Sequence, residues 1–434
     1  MEVPTVSVPL YSEAMGGDPH TSSADRARGS ALLLSSSGPG AAAGSASRVG
    51  LVLDALRERF SSVDIVSLAA RGDEHRVPAA VHLVAWAQPP PRWRYATALA
   101  SGGSPFVGVR DSRLTATLAE LQAQGSLRRS YELVWSHFLV TGPAALSIPG
   151  RYRVLDADMA LGAAARRDAL RPGRGWGQRL YLRLDTAAIT RRERQLIAEF
   201  QRVVVASNLE RERLNAGLQP ISVVPNAVAF DPPDRPRGYG GNQLLFVGAL
   251  DYGPNLEAVS FLTREVMPYV RARLPAAELK IVGRNPSPEV VQLAAGAGVE
   301  LFGDALSLEP HYAGAAVALA PLVSGGGTRI KVLEAMARAL PIVATPGGAE
   351  GIDLEHGISA LIADDPREYA EHCLTVLRDK SLARRMGESA HAVWHRGHQP
   401  AVARDAILGV IDSLSDPIRA SPSSHPDPAQ PPQP

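Results

Sequence analysis

Short apolar runs recur along the whole chain, and helical patterns separate them. Before residue 229 they are 31–35, 64–68, 81–86, 133–135, 152–155, 203–206 and 222–224. After residue 242 they are 244–247, 279–282, 299–302, 317–320, 341–344 and 360–362. Most are continuous and rich in Leu or β-branched residues. A strand with one wet face alternates apolar and polar residues; a strand covered on both faces does not. These runs therefore read as buried parallel strands. Amphipathic segments such as 255–273 and 328–338 lie between them. Strand–helix alternation sustained on both sides predicts α/β architecture with two doubly wound, Rossmann-like sheets. A chain of 434 residues also exceeds what one ordinary core covers.

The break between the halves is legible too. Asp231, Pro232, Pro233, Asp234, Arg235 and Pro236 precede a Gly-rich stretch at 238–241. This predicts a linker over 229–242, joining domains at 31–228 and 243–399. Two such sheets joined by one linker place a cleft between their carboxyl ends, where open α/β sheets bind ligands. The helical run near 400–414 is expected to pack back on the first domain. Residues 1–30 and the Pro-rich 415–434 are expected to be disordered tails. Residues 1–30 hold Glu2, Glu13, Asp18 and Asp25 and no apolar signal core, which predicts a cytoplasmic protein.

Bulk chemistry narrows function by exclusion. A net charge of +1 argues against a dominant nucleic-acid binder. The single cysteine, Cys373, makes neither an internal disulfide nor a thiolate metal site, and the run 369–377 predicts a buried place in a helix.

The densest chemical signal follows the run 317–320. Pro321 is succeeded by Ser324, Gly325, Gly326, Gly327, Thr328, Arg329, Ile330, Lys331, Val332, Leu333 and Glu334. A strand ends in a Gly-rich turn and a helix is expected to open at Thr328. Glycines let the backbone approach a ligand, and the free N–H groups of a helix start suit a diphosphate. Arg329 and Lys331 add two charges within the first turn. Glu334 lies about two turns in, and its carboxylate suits a vicinal diol such as a ribose.

With residues 341–351, which include Pro346, Gly347, Gly348 and Glu350, this segment resembles the donor site of retaining GT-B glycosyltransferases of family 4, in a branch with a GGGTRIKxLEAMA pattern. The resemblance runs from residue 244 to about 394 and includes Phe246, Gly248, Asn255, Gly283, Arg284, Tyr312, Ala315 and Ala316. It is looser before the linker, at Pro39, Gly44, Pro105, Asp156, Ser207 and Asn226. It implies a GT-B fold, two Rossmann-like domains facing across a cleft. It also implies a nucleoside diphosphate sugar as co-substrate, with no other cofactor and no metal. Donor contacts fall at Gly248, Gly283, Arg284, Gly326, Gly327, Thr328, Arg329, Lys331 and Glu334, with Arg329, Lys331 and Glu334 carrying the catalytic role. Retention is implied through front-face attack, in which a phosphate oxygen takes the acceptor's proton.

Two departures stand out. Many members carry a glutamate where this chain has Gly326. Many also place Arg and Lys just after the first strand of the second domain, where residues 248–255 hold neither. Arg329 and Lys331 are expected to supply that charge. A nucleotide-sugar epimerase on the same architecture and a non-catalytic binding subunit both remain open on sequence alone.

Three further signals concern the acceptor side. Gly38, Gly40 and Gly44 form a loose dinucleotide fingerprint after the first strand, but no acidic residue closes the second strand to hold a ribose. In the glycosyltransferase reading, Gly38 and Gly44 face the cleft. Asp156 and Asp158 imitate a D-x-D metal motif, with Asp158 at a strand end as an acceptor-side or capping residue; His137, after the run 133–135, has similar standing. The acceptor is expected to be a glycan, a lipid-linked species or a small alcohol. Last, Arg166, Arg167, Arg171, Arg174, Arg179, Arg183, Arg191, Arg192 and Arg194 crowd one stretch with Trp176, Leu180 and Tyr181 interleaved. This reads as a solvated helix face, or as a patch for an anionic membrane or a polyanionic acceptor.

Overall fold

A computed structural model describes residues 27–36, 44–69, 81–85, 105–170, 175–214, 220–230, 238–296, 298–305, 307–323, 326–327 and 329–415. Its strands are β1 (Ala27–Ser35), β2 (Phe60–Ala69), β3 (Val81–Ala85), β4 (Tyr131–His137), β5 (Gly150–Asp158), β6 (Arg202–Val205) and β7 (Ile221–Val223). After the linker come β8 (Gln243–Val247), β9 (Glu278–Gly283), β10 (Val299–Gly303), β11 (Val317–Ala320), β12 (Ile342–Ala344) and β13 (Leu361–Ile362). Each of the thirteen apolar runs falls on one of them. The first sheet has the order β3-β2-β1-β4-β5-β6-β7 and the second β10-β9-β8-β11-β12-β13, with parallel pairing throughout. This is the expected α/β, GT-B arrangement of two doubly wound sheets.

The order explains the sequence pattern. Leu32 and Leu34 enter one cluster with Leu114 and Leu118, while Ala31 and Leu33 enter another with Val49, Val52 and Leu56 of helix α1 (Gly44–Arg59). Both faces of β1 are thus dry, so nothing selects for alternation. The second sheet is covered in the same way, with Phe246 on one side and Leu245 and Val247 on the other. In each sheet the order reverses once, between β1 and β4 and between β8 and β11. Connections leave on opposite faces at that point, and a crevice opens at the strands' carboxyl ends.

Helix α2 (Leu161–Ala169) follows β5, and α3 (Trp176–Glu199) packs against it. The contact is close: a Cβ on Gly162 would lie 2.6 Å from Thr190 Oγ1. Helix α4 (Ile330–Ala337) follows β11. Near the end of the chain α5 (Lys380–Gly397) packs on the second domain, and α6 (Pro400–Ser415) returns to the first. There Ile407, Leu408, Val410 and Ile411 join the cluster around Leu33 and Leu56. The two crossings are pinned together: His398 shares a 2.8 Å hydrogen bond with the Asn226 carbonyl, Val228 N–H donates to the His398 carbonyl over 3.2 Å, and Trp394 Nε1 donates to the Val228 carbonyl over 3.2 Å.

Two boundaries move. The first strand begins at Ala27, so residues 27–30, read as tail, belong to the sheet, and Ser415 ends α6. The rest of both tails and the Pro-rich segment 231–237 lie outside the described residues. Cys373 is fully buried in a helix, as expected, and burial raises its thiol well above the usual range.

Candidate active site

The loop after β11 reaches across the gap to the end of β5. Gly326 stands against Met159 and Ala164; a Cβ there would lie 2.3 Å from the Met159 sulfur. This gives a physical reason for glycine at Gly326: Met159 of the other domain fills the volume that a longer side chain would need. Gly327 is left-handed, with φ of 75°, and a Cβ on it would lie 3.6 Å from Asp158 Oδ2. Thr328 lies outside the described residues. The helix itself starts at Ile330, with Arg329 in the N-cap position, two residues later than the sequence pattern suggests.

The two expected cations separate. Arg329 is buried: Nε donates to the Gly347 carbonyl over 3.1 Å, Nη1 donates to the Gly326 carbonyl over 3.2 Å, and Nη2 lies 3.8 Å from Glu350. Its donors tie two loops together. Lys331 points the other way, toward the carboxyl end of β8. Its Nζ donates to Asn255 Oδ1 over 2.8 Å and sits 4.1 Å from the Phe246 ring centroid. It lies 3.0 Å from the place a Cβ would occupy on Gly248. Lys331 thus stands where residues 248–255 provide no cation of their own, at the switch point of the second sheet. Burial, followed by repulsion from Arg329, lowers its ammonium to about 7.

Glu334 projects from the same helix, and its Oε2 accepts a 2.7 Å hydrogen bond from the Tyr312 hydroxyl. Burial raises its carboxyl above the ordinary value. Gly283 has a packing requirement of its own, since a Cβ there would lie 1.7 Å from the Gly248 carbonyl oxygen. The Arg284 carbonyl accepts from Leu250 N–H over 2.8 Å. Gly248, Gly283 and Arg284 therefore shape the ends of β8 and β9.

On the facing domain a buried network supports Asp158. Arg48 of α1 makes two hydrogen bonds from Nε to Asp156, at 3.0 and 2.9 Å, and one from Nη2 at 2.8 Å. Its Nη1 donates to the Val224 carbonyl over 2.8 Å and to Asn226 Oδ1 over 3.1 Å. Asn226 Nδ2 then donates to Asp158 Oδ1 over 3.0 Å. Asp158 itself is left-handed, φ 59°, a conformation that non-glycine residues adopt rarely. His137, at the end of β4, is fully buried: Nδ1 lies 3.3 Å from Ser36 Oγ and Nε2 has no partner. Burial favours its neutral form. Gly44 opens α1, and Gly38 lies outside the described residues.

Charge also links the domains. Glu350 takes a 2.7 Å ion pair from Arg167 and a second from Arg213, both on the first domain, while Arg329 approaches from its own side. Behind this cluster Glu210 Oε2 accepts from Ala160 N–H over 2.7 Å, and Glu193 Oε1 accepts from Leu161 N–H over 2.7 Å. The amino end of α2 is thereby occupied by the protein's own carboxylates. Burial raises Glu193 to about 7. Met159 and Arg213 carry no signal in sequence spacing, and neither does the pairing of Arg167 with Glu350 across the gap. Among the described residues no cluster of metal-ligating side chains occurs, and the Asp156–Asp158 pair is turned into the Arg48 and Asn226 network.

Residues 241–379 match the family of glycosyl transferases group 1. That domain contains β8–β13, Lys331, Glu334 and Glu350. A Klebsiella pneumoniae protein, described as an uncharacterized 44.6 kDa protein in the cps region, is 28% identical over 150 residues. The alignment covers 32% of this chain and 38% of that protein's length. Among solved structures, sucrose-phosphate synthase from Thermosynechococcus elongatus superposes with a TM-score of 0.63 at 17% identity, covering 89% of this chain and 99% of that one. Anabaena HepE, solved in complex with UDP and glucose, gives 0.56 at 14% identity, covering 89% and 99%. These likenesses support a GT-B fold over 89% of the chain. No helix among the described residues is long and apolar enough to cross a membrane.

Proposed function

We propose that the chain is a glycosyltransferase that moves a sugar from a nucleoside diphosphate sugar to an acceptor hydroxyl, with retention at the anomeric carbon. The observation that carries this reading is the Lys331 ammonium at the carboxyl end of β8, inside a glycosyl transferases group 1 domain. An open α/β sheet binds its ligand at that reversal of strand order. A cation there balances charge on a leaving diphosphate, and the Gly326–Gly327 turn and the start of α4 add backbone N–H groups.

Each remaining residue takes a distinct part. Glu334 receives the ribose diol with the oxygen that Tyr312 does not hold. Gly283 and Arg284 border the base. Arg329 acts as a positioning residue, holding the glycine turn to the loop at Gly347. Across the gap Asp158 accepts a hydroxyl of the sugar or the acceptor. The displaced diphosphate takes the acceptor's proton. The acceptor class is a glycan, a lipid-linked species or a small alcohol.

HepE was solved with UDP, so UDP and UDP sugars are the first donors to test. A ligand that binds only the folded state raises the melting temperature. The reading expects one nucleoside diphosphate to do so, Lys331→Ala to abolish the shift while circular dichroism stays native, and diphosphate release to require an acceptor. An unchanged shift in Lys331→Ala would overturn the site, and sugar-nucleotide conversion without acceptor would overturn transfer.

A further inference from the structure

Helix α3 presents an apolar ridge to solvent. Trp176, Leu180 and Leu184 follow one another at four-residue spacing, so they share one face of the helix. Trp176 is 84% exposed and the two leucines are 51% and 53% exposed. Isolated exposed apolar residues are ordinary; three on one stripe, with Leu170 of the adjoining turn 69% exposed, form a patch. The opposite face is occupied: Ile189, Leu196 and Ile197 are buried against the domain.

The same exposed face is basic. Arg179, Arg183, Arg191 and Arg194 lie on it, and from Trp176 to Arg194 its fully exposed positions include no carboxylate. Between α3 and α2, Arg183, Arg191 and Arg194 border a groove of about 630 Å³, whose walls include Arg166, Leu170, Thr186 and Thr190. A cationic groove beside an apolar ridge matches one chemistry, a surface of anionic headgroups above acyl chains. A soluble polyanion satisfies the arginines but leaves Trp176 and the leucines in water. An apolar protein partner satisfies the ridge but leaves four guanidinium groups unpaired.

We propose that the α2–α3 face docks on an anionic lipid bilayer, with Trp176, Leu180 and Leu184 entering the headgroup boundary and Arg183, Arg191 and Arg194 pairing with lipid phosphates. Helix α2 links this face to the interdomain gap, because Ala164 touches Gly326 and Arg167 binds Glu350. Docking therefore brings the gap to the lipid surface. The inference rests on the proposed glycosyl transfer only in choosing among acceptors, since it selects one carried in a membrane.

The test uses the full chain and vesicles of phosphatidylcholine, with or without phosphatidylglycerol at about 30 mol%, on the order of physiological anionic content. Co-sedimentation is expected on the anionic vesicles alone, falling about tenfold or more when Leu180→Glu and Leu184→Glu are combined, and similarly for Arg183→Glu with Arg191→Glu. Tryptophan emission is expected to shift to the blue on binding, and Trp176→Phe to remove that shift. Equal binding to both vesicles, no binding, or unaltered binding by the double variants would overturn the proposal. So would retention on a soluble anionic polysaccharide with none on vesicles. All substituted positions are exposed, so the variants fold, and the nucleoside diphosphate melting shift, unaffected by them, tests the donor site separately.

Discussion

Lys331 donates to Asn255 Oδ1 over 2.8 Å, and this bond fixes the ammonium beside Gly248. Its pKa of about 7 means that above neutral pH the nitrogen is largely unprotonated until a diphosphate arrives. Donor binding is then expected to take up close to one proton at about pH 8.5, and affinity to fall as pH rises above about 7. Calorimetry in buffers of different ionisation enthalpy measures the uptake. A binding enthalpy independent of the buffer would show that Lys331 does not change charge.

Gly326 and Met159 are expected to be energetically coupled. Gly326→Ala must displace the Met159 sulfur, at a cost of about 1–3 kcal/mol for overpacking. In a Met159→Ala background most of that cost should vanish. A double-mutant cycle by urea unfolding gives the coupling, and additive effects would refute the contact.

Glu350 should govern how far the domains stand apart. Glu350→Ala removes the acceptor shared by Arg167 and Arg213. Losing one charged hydrogen bond costs about 1.5–3 kcal/mol, enough to raise an open population roughly tenfold or more. Small-angle scattering is expected to show a larger radius of gyration and a weaker response to donor. An identical scattering profile would remove Glu350 as a latch.

Glu193 should make folding stability depend on pH. Its folded pKa, about 7, lies above the ordinary 4.5, so the folded state holds the proton more tightly. The contribution is most favourable below about 4.5 and is lost as pH rises toward 7, by up to about 3 kcal/mol. Glu193→Gln is expected to flatten that part of the stability profile, compared by urea titration at about pH 5 and about pH 8. Parallel profiles for both proteins would reject this account.

The sheets were legible in the sequence because burial on both faces writes continuous apolar runs, and residues 31–34 of β1 and 244–247 of β8 each answer to a core on one side or the other. The Gly-rich loop ahead of α4 was legible because its residues are contiguous. Contacts made across the gap were not. Met159 and Gly326 stand on different domains, and Arg48 meets Asp156 across 108 residues, so no local spacing announces either contact. The role of Arg329 was also invisible: a guanidinium near a helix start looks the same whether it faces a phosphate or, as here, the Gly326 and Gly347 carbonyls.

Helix α6 bears on how the molecule is made. The first domain is built from segments that precede and follow the second, since Ile407 and Ile411 complete the cluster that Leu33 and Leu56 begin. On a ribosome, the first domain emerges before the second, yet its cluster can close only after Ile407 and Ile411, beyond the second domain, have emerged. A chain stopped after residue 399 should therefore leave the second domain resistant to protease and the first one digestible.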